Sequence, residues 1–129
     1  QTQILYKFMS QNRRIQKVSS LLKKELSLIL NNDLDESIIL DNFISISKLE
    51  ISPDLHYCKI YITGAVEDEE KVKIVDSLNN LKSFIRHKLT QRIQMRRIPE
   101  LTFKVDRALE KGLAVLKVLE KLKDQKNNL

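Results

Sequence analysis

The chain of 129 residues is poor in the residue types from which metal centres, disulfide scaffolds and phosphate loops are built. A single cysteine, Cys58, leaves no partner for an internal disulfide and no multi-cysteine metal site. The two glycines, Gly64 and Gly112, stand 48 positions apart, so no glycine-rich phosphate loop can be assembled from them. His56 and His87, the only histidines, have no metal-ligand spacing to Cys58 and read as surface or satisfied residues. There is no Trp. No apolar run approaches the roughly 20 residues that cross a bilayer. The opening "QTQILYKFM" has one Lys and no long apolar run, so no secretory leader is expected. These absences point to a soluble protein of a reducing compartment with no metal, no cofactor and no membrane association.

Catalysis has equally little to build on. Cys58 falls on the inward side of an expected strand and has no evident base beside it, as a nucleophile would need. The acids "EDEE" at 67–70 open a helix, where the helix dipole already favours them. The chain is therefore read as no enzyme, and no small-molecule substrate is expected.

What the chain does have is a core and an uneven charge. Hydrophobic residues make up 42%, enough for one packed domain at this length. The net charge is +6. Residues 12–24 hold Arg13, Arg14, Lys17, Lys23 and Lys24 with no acid, and residues 86–97 hold Arg86, Lys88, Arg92, Arg96 and Arg97 with no acid. The two islands carry +10, which leaves −4 for the remainder. Two positive islands on a mildly acidic body suggest a polyanion surface. The plain alternative is a pair of solvated helix faces.

Periodicity supplies the elements. From Asn12 to Leu30 the apolar positions Ile15, Val18, Leu22, Leu26 and Ile29 recur three and four apart, which predicts an amphipathic helix. Asn12 is its expected N-cap, and "NND" its end. "NFISISKLEIS" alternates, but the phase slips at Ser47-Lys48, so a bulge is expected there. "PDL" reads as a turn. "HYCKIYITG" resumes the alternation, with Cys58, Ile60 and Ile62 inward and Tyr57, Lys59 and Tyr61 outward. That outward face either contacts nucleic acid or packs under a helix. "VEDEEKVKIVDSLNNLKSFIRHKLTQRI" is helical, with a first stripe of Val72, Val75 and Leu78 and a second of Ile85, Leu89 and Ile93. The stripes meet at Leu81-Lys82-Ser83, where a bend or break is expected. "ELTFKVD" is a third strand with Leu101, Phe103 and Val105 inward. "RALEKGLAVLKVLEKLKDQ" closes as a helix with Leu109, Leu113, Leu116 and Leu119 to Leu122 apolar. The order is helix, strand, strand, helix, helix, strand, helix: an α+β domain of three strands backed on one face by helices.

Three stretches, "NRRIQKVSSLLKKELSLIL", "ISISKLEISPDLHYCKIYITG" and "FIRHKLTQRIQMRRIPELTFKVDRALEKG", resemble the ribosome-binding factor A family. The resemblance rests on Arg14 to Val18, Ser52 to Leu55, and Phe84 to Asp106, covers about residues 12–122, and is most similar to cyanobacterial and plastid members. It implies a type II KH-like fold and a non-enzymatic factor that binds the immature small ribosomal subunit near its neck and decoding region. It further implies help with 5′-end maturation of small-subunit rRNA, release before translation, and a role in cold adaptation. In place of a Gly-x-x-Gly loop the family has a helical kink that usually carries Ala-x-Gly; here Leu81, Lys82 and Ser83 stand there, without the glycine.

The expected RNA-binding residues are Arg13, Arg14, Lys17, Lys24, Lys82, Arg86, Lys88, Arg92, Arg96 and Arg97. Arginine forks suit phosphate oxygens. Arg92, Arg96 and Arg97 are expected at the C-terminal end of the kinked helix and in the turn before the third strand. The cations of 86–97 are expected where the second half of that helix would meet rRNA phosphates, with Pro99 ending the helix and launching the strand. The expected partners are small-subunit rRNA and the pre-mature small subunit, met as a monomer in the bacterial cytoplasm or, alternatively, in a plastid stroma. Residues 12–123 are read as one KH-like RNA-binding domain, with 1–11 and 124–129 as flexible ends. The competing readings are a generic KH-like RNA binder and an interaction module for an acidic protein.

Overall fold

A computed structural model describes residues 2–34 and 44–127. The element order is α1 (Thr2–Asn32), β1 (Ile44–Ile51), β2 (Tyr57–Gly64), α2 (Asp68–Asn80), α3 (Lys82–Arg92), β3 (Glu100–Val105) and α4 (Ala108–Asn127). The α+β order expected from periodicity is the one observed. Asn42 and Phe43 of the first expected strand, and the tail 128–129, lie outside the described residues.

α1 is longer than its apolar spacing suggested. It runs from Thr2, so Asn12 is an exposed residue inside the helix rather than its cap. No Gly or Pro occurs between Thr2 and Asn32 to stop it, and most residues there form helix readily. Its inward stripe is Leu22, Leu26 and Ile29, each fully buried. Removing such a side chain from water contributes about 1.5–3 kcal/mol. Arg13, Arg14, Lys17 and Lys24 all lie exposed on the outer side.

The sheet order is β1-β2-β3, with β1 antiparallel and β2–β3 parallel. The register shifts between Ile46 and Lys48, which puts the expected bulge at Ser47. Ser47, freed from pairing, donates its hydroxyl to Asp106 Oδ2 at 2.6 Å. Asp106 Oδ1 in turn accepts the amide of Ala108 at 2.9 Å, and so ties the start of α4 to the sheet. Arg107 adds a second tie, 2.8 Å from Asp68 at the start of α2.

Cys58, Ile60, Ile62, Leu101 and Phe103 point to one face and are buried beneath α1, α2 and α3. In α2 the buried residues are Ile74, Val75 and Leu78, while Val72 is exposed. Val75 and Leu78 are buried as expected, and Ile74 takes the place of Val72 at the edge of the stripe, so the buried face is turned only slightly. Ile85, Leu89 and Ile93 are all buried as expected. The apolar residues Leu113, Leu116, Leu119 and Leu122 of α4 do not join the core and remain more than half exposed. No helix among the described residues is long and apolar enough to cross a membrane.

Burial pushes the Cys58 thiol up to about 12, so it stays neutral at physiological pH. Its contribution to stability is complete below the ordinary thiol value of 9.0 and fades as pH climbs toward about 12, because only the unfolded chain ionises there. Cys58→Ser should keep the fold and lower its stability by about 1–2 kcal/mol, from a hydroxyl placed without a partner. A thermal melt checks this, and a lost fold would contradict it.

Candidate nucleic-acid interface

The junction of α2 and α3 is a single residue. Leu81 has φ −97° and ψ 5°, and its amide is shared between the Ser77 and Leu78 carbonyls, both at 3.1 Å. The negative φ explains why no glycine is needed at this kink: any L-residue adopts it. Two residues earlier, Asn79 clamps the junction to the edge strand. Its Nδ2 donates to the Phe103 carbonyl at 3.1 Å, and its Oδ1 accepts the Phe103 amide at 2.8 Å. The side-chain amide thus pairs with the exposed edge of β3 as a further strand would.

α3 ends at Arg92, where Ile93 turns to extended backbone (φ −121°, ψ 129°). Pro99 therefore does not end this helix, as the sequence suggested; it lies seven residues further on. The segment between folds back because Ile93, Ile98 and Pro99 are buried. Arg96 and Arg97 consequently stand, as expected, in the turn before β3, folded back beside the helix. Arg86 holds the two together, donating from Nη2 to the Ile98 carbonyl at 2.9 Å.

Between helix and loop lies an open groove of about 470 Å³, lined by Ser83, Arg86, His87, Thr90, Arg96, Arg97 and Ile98. Three guanidinium groups border it, and no carboxylate does among the described residues. Ser83, Arg86, His87 and Thr90 repeat at i, i+3, i+4 and i+7, one face of α3. That spacing was present in the sequence, and it could have added Ser83, His87 and Thr90 to the site.

The other expected cations are not gathered here. Lys82 is exposed at the start of α3. Lys88 is on another face of the helix, its Nζ 5.5 Å from the centre of the Phe84 ring. Arg92 faces α1 and pairs with Asp33 at 3.1 Å and Glu25 at 3.5 Å. The α1 island forms a separate exposed surface. Arg92 thus serves the fold, tying the end of α3 to the end of α1. Arg92→Ala should cost about 0.5–1 kcal/mol, since these side chains are only partly screened from water. A double-mutant cycle with Asp33→Asn checks it, and a coupling energy of zero would contradict the pairing.

The order helix–strand–strand–helix–kink–helix–strand, on a three-stranded sheet with β1 and β2 antiparallel and β2 and β3 parallel, is that of a KH-like domain of type II. The ribosome-binding factor A family model matches residues 14–119, and the chain belongs to that family. A ribosome-binding factor A of Prochlorococcus marinus subsp. pastoris is 58% identical over 120 residues, 93% of this chain and 91% of that protein. The crystal structure of ribosome-binding factor A from Thermus thermophilus superposes with a TM-score of 0.60 at 23% identity, covering 72% of this chain and 96% of that one. A homology model of the Thermus thermophilus factor, fitted into a cryo-EM map of a 30S complex, gives a TM-score of 0.56 at 23% identity and covers 69% of this chain and 91% of that one.

Proposed function

We propose that this chain is an assembly factor for the small ribosomal subunit. It binds the immature particle through rRNA phosphate, assists maturation of the 5′ end of the small-subunit rRNA, and leaves before translation. The observation that carries the RNA contact is the groove beside the kink, where Arg86, Arg96 and Arg97 meet without an acid. Guanidinium groups held by a fold bind phosphate oxygens with less entropic cost than dangling ones. The small subunit as partner is supported by family membership and by the Thermus relative placed in a 30S complex. On this reading Lys82, Lys88 and the α1 cations Arg13, Arg14, Lys17 and Lys24 extend the phosphate contact beyond the groove. The working domain is 12–123, a monomer without chemistry of its own, acting in the bacterial cytoplasm or a plastid stroma.

Sedimentation of cell extract tests the reading. The protein should co-migrate with free small subunits and be absent from polysomes. Migration with polysomes, or at the top of the gradient with soluble proteins alone, would overturn it.

A further inference from the structure

We infer that α4 pairs with α4 of a second copy of this chain, running antiparallel, and that this pairing is what covers the apolar face of the helix. The inference does not depend on the assembly-factor reading. The pair is the resting form, in equilibrium with the monomer that acts on the small subunit.

α4 is fixed to the domain through its first turn, by the Ala108 amide on Asp106 and by Arg107 on Asp68. It adds no residue to the core among those described. Yet six of the eleven large hydrophobics exposed among the described residues lie on it: Leu113, Val115, Leu116, Val118, Leu119 and Leu122, each more than half exposed. The other five are spread over α1, β2, α2 and α3. Scattered apolar residues are ordinary on a surface, whereas a contiguous apolar face marks a place where something binds.

Spacing makes the partner a helix. Ala108, Gly112, Val115, Leu119, Leu122 and Lys126 follow one another at intervals of four, three, four, three and four. That is the seam of a coiled coil, sustained for the whole helix. Leu116 and Val118 border the seam on its two sides, while Glu110, Lys117 and Asp124 fall opposite it and stay in water. The seam is uncovered at its narrowest point: a Cβ at Gly112 would meet nothing within 4 Å.

Size and charge select a second copy in antiparallel order. When two copies cross at Lys117, Gly112 lies opposite Leu122 of the second copy, and Val115 opposite its Leu119. A smaller residue then meets a larger one in each layer. Leu116 and Val118 meet their own counterparts on either side of the two-fold axis, and Lys111 faces Gln125, so like charges are kept apart. A parallel pair would set Gly112 on Gly112, leaving a void, and Lys126 on Lys126, bringing two cations together. The antiparallel contact is self-complementary and closes at two copies. A strip about 30 Å long stands at the low end of stable interfaces, so the pairing is weak and depends on concentration.

Sedimentation equilibrium of the full chain tests this. The apparent mass should rise from 15.1 kDa toward twice that value as concentration is raised through the micromolar range. Leu116→Glu with Val118→Glu crowds carboxylates at the axis and should hold the mass at 15.1 kDa. The domain should stay folded by circular dichroism, since neither side chain belongs to the core. Val72→Ala with Phe84→Ala removes exposed apolar side chains elsewhere and should leave the association as it is. Thiol crosslinking reads the orientation, because the one native thiol, Cys58, is buried and neutral. A short bismaleimide should link Val118→Cys to its own counterpart but not Leu122→Cys, whose two copies lie about 15 Å apart along the antiparallel pair. The double glutamate variant should bind immature small subunits as well as the unaltered protein does, which separates this face from the groove. An unaltered chain whose mass stays at 15.1 kDa at every concentration would overturn the inference, as would association that survives the double glutamate variant. Equal linking at both cysteine positions would overturn the antiparallel order. Loss of small-subunit binding by the double variant, with no association of the unaltered chain, would also overturn the inference and assign the face to the particle.

Discussion

Phe103→Ala should lower the unfolding free energy by about 3–5 kcal/mol, the cost of a large aromatic removed from a close-packed core. Phe103 is 1% exposed and belongs to the cluster that includes Ile60, Ile62 and Ile74. In the parallel register Ile60 stands opposite it on β2. The consequence reaches beyond the lost contacts. The backbone of Phe103 is the partner of Asn79, so a shift of β3 around the new cavity also loosens the clamp behind the Leu81 kink. Against a total stability of about 5–15 kcal/mol for a domain of this kind, the loss is a large share. At about 4 °C per kcal/mol, the midpoint of a thermal melt should fall by on the order of 15 °C. Val105→Ala, at a half-buried position of the same strand, should do much less. A melt of Phe103→Ala that coincides with that of the unaltered protein would mean that the strand faces the other way.

The elements legible in the sequence are those whose signal is local. Alternation at Cys58, Ile60 and Ile62 announced the buried face of β2, and helical spacing announced Ile85, Leu89 and Ile93. Even the bulge at Ser47 and the break at Leu81 could be read, because each interrupts a period within a few residues. What stayed hidden was the exact form of one local turn and, beyond it, whatever depends on contacts between distant residues. Leu55 adopts φ 62°, a conformation unusual for a side chain of its kind. It is held there by its neighbours: its amide reaches the Ser52 carbonyl at 2.9 Å, and Asp54 accepts from the Ser52 hydroxyl and the His56 amide. "PDL" signalled a turn but not this one. Arg92 and Asp33 are 59 positions apart, so charge counting placed Arg92 in the RNA island when the fold uses it against α1. The groove itself was out of reach for the same reason. It exists only because Ile98 and Pro99 are pulled into the core, which folds Arg96 and Arg97 back onto α3.

This division of labour among the arginines sets the variant that tests the groove. Arg96→Ala with Arg97→Ala should reduce affinity for small subunits at least tenfold, about 1.4 kcal/mol, at low salt. Both side chains are exposed and neither has a carboxylate partner among the described residues, so the fold should lose only about 0–1 kcal/mol. Including Arg92 would confuse the result, since its removal also breaks the pairs with Glu25 and Asp33. If each arginine neutralises one phosphate, the slope of log affinity against log salt should flatten by about 0.7–0.9 per residue removed. The deficit of the variant should then shrink as salt rises, because the contacts it lacks are the ones that salt weakens. Lys117→Ala with Lys121→Ala on α4 is the matched control: two exposed cations on a helix that also carries Glu110 and Glu120. A merely solvated basic face predicts small and equal effects from both pairs. A phosphate groove predicts a large, salt-dependent loss from the first and little from the second. Equal losses, or a deficit in the first that persists unchanged at high salt, would show that the groove is not where the protein meets rRNA.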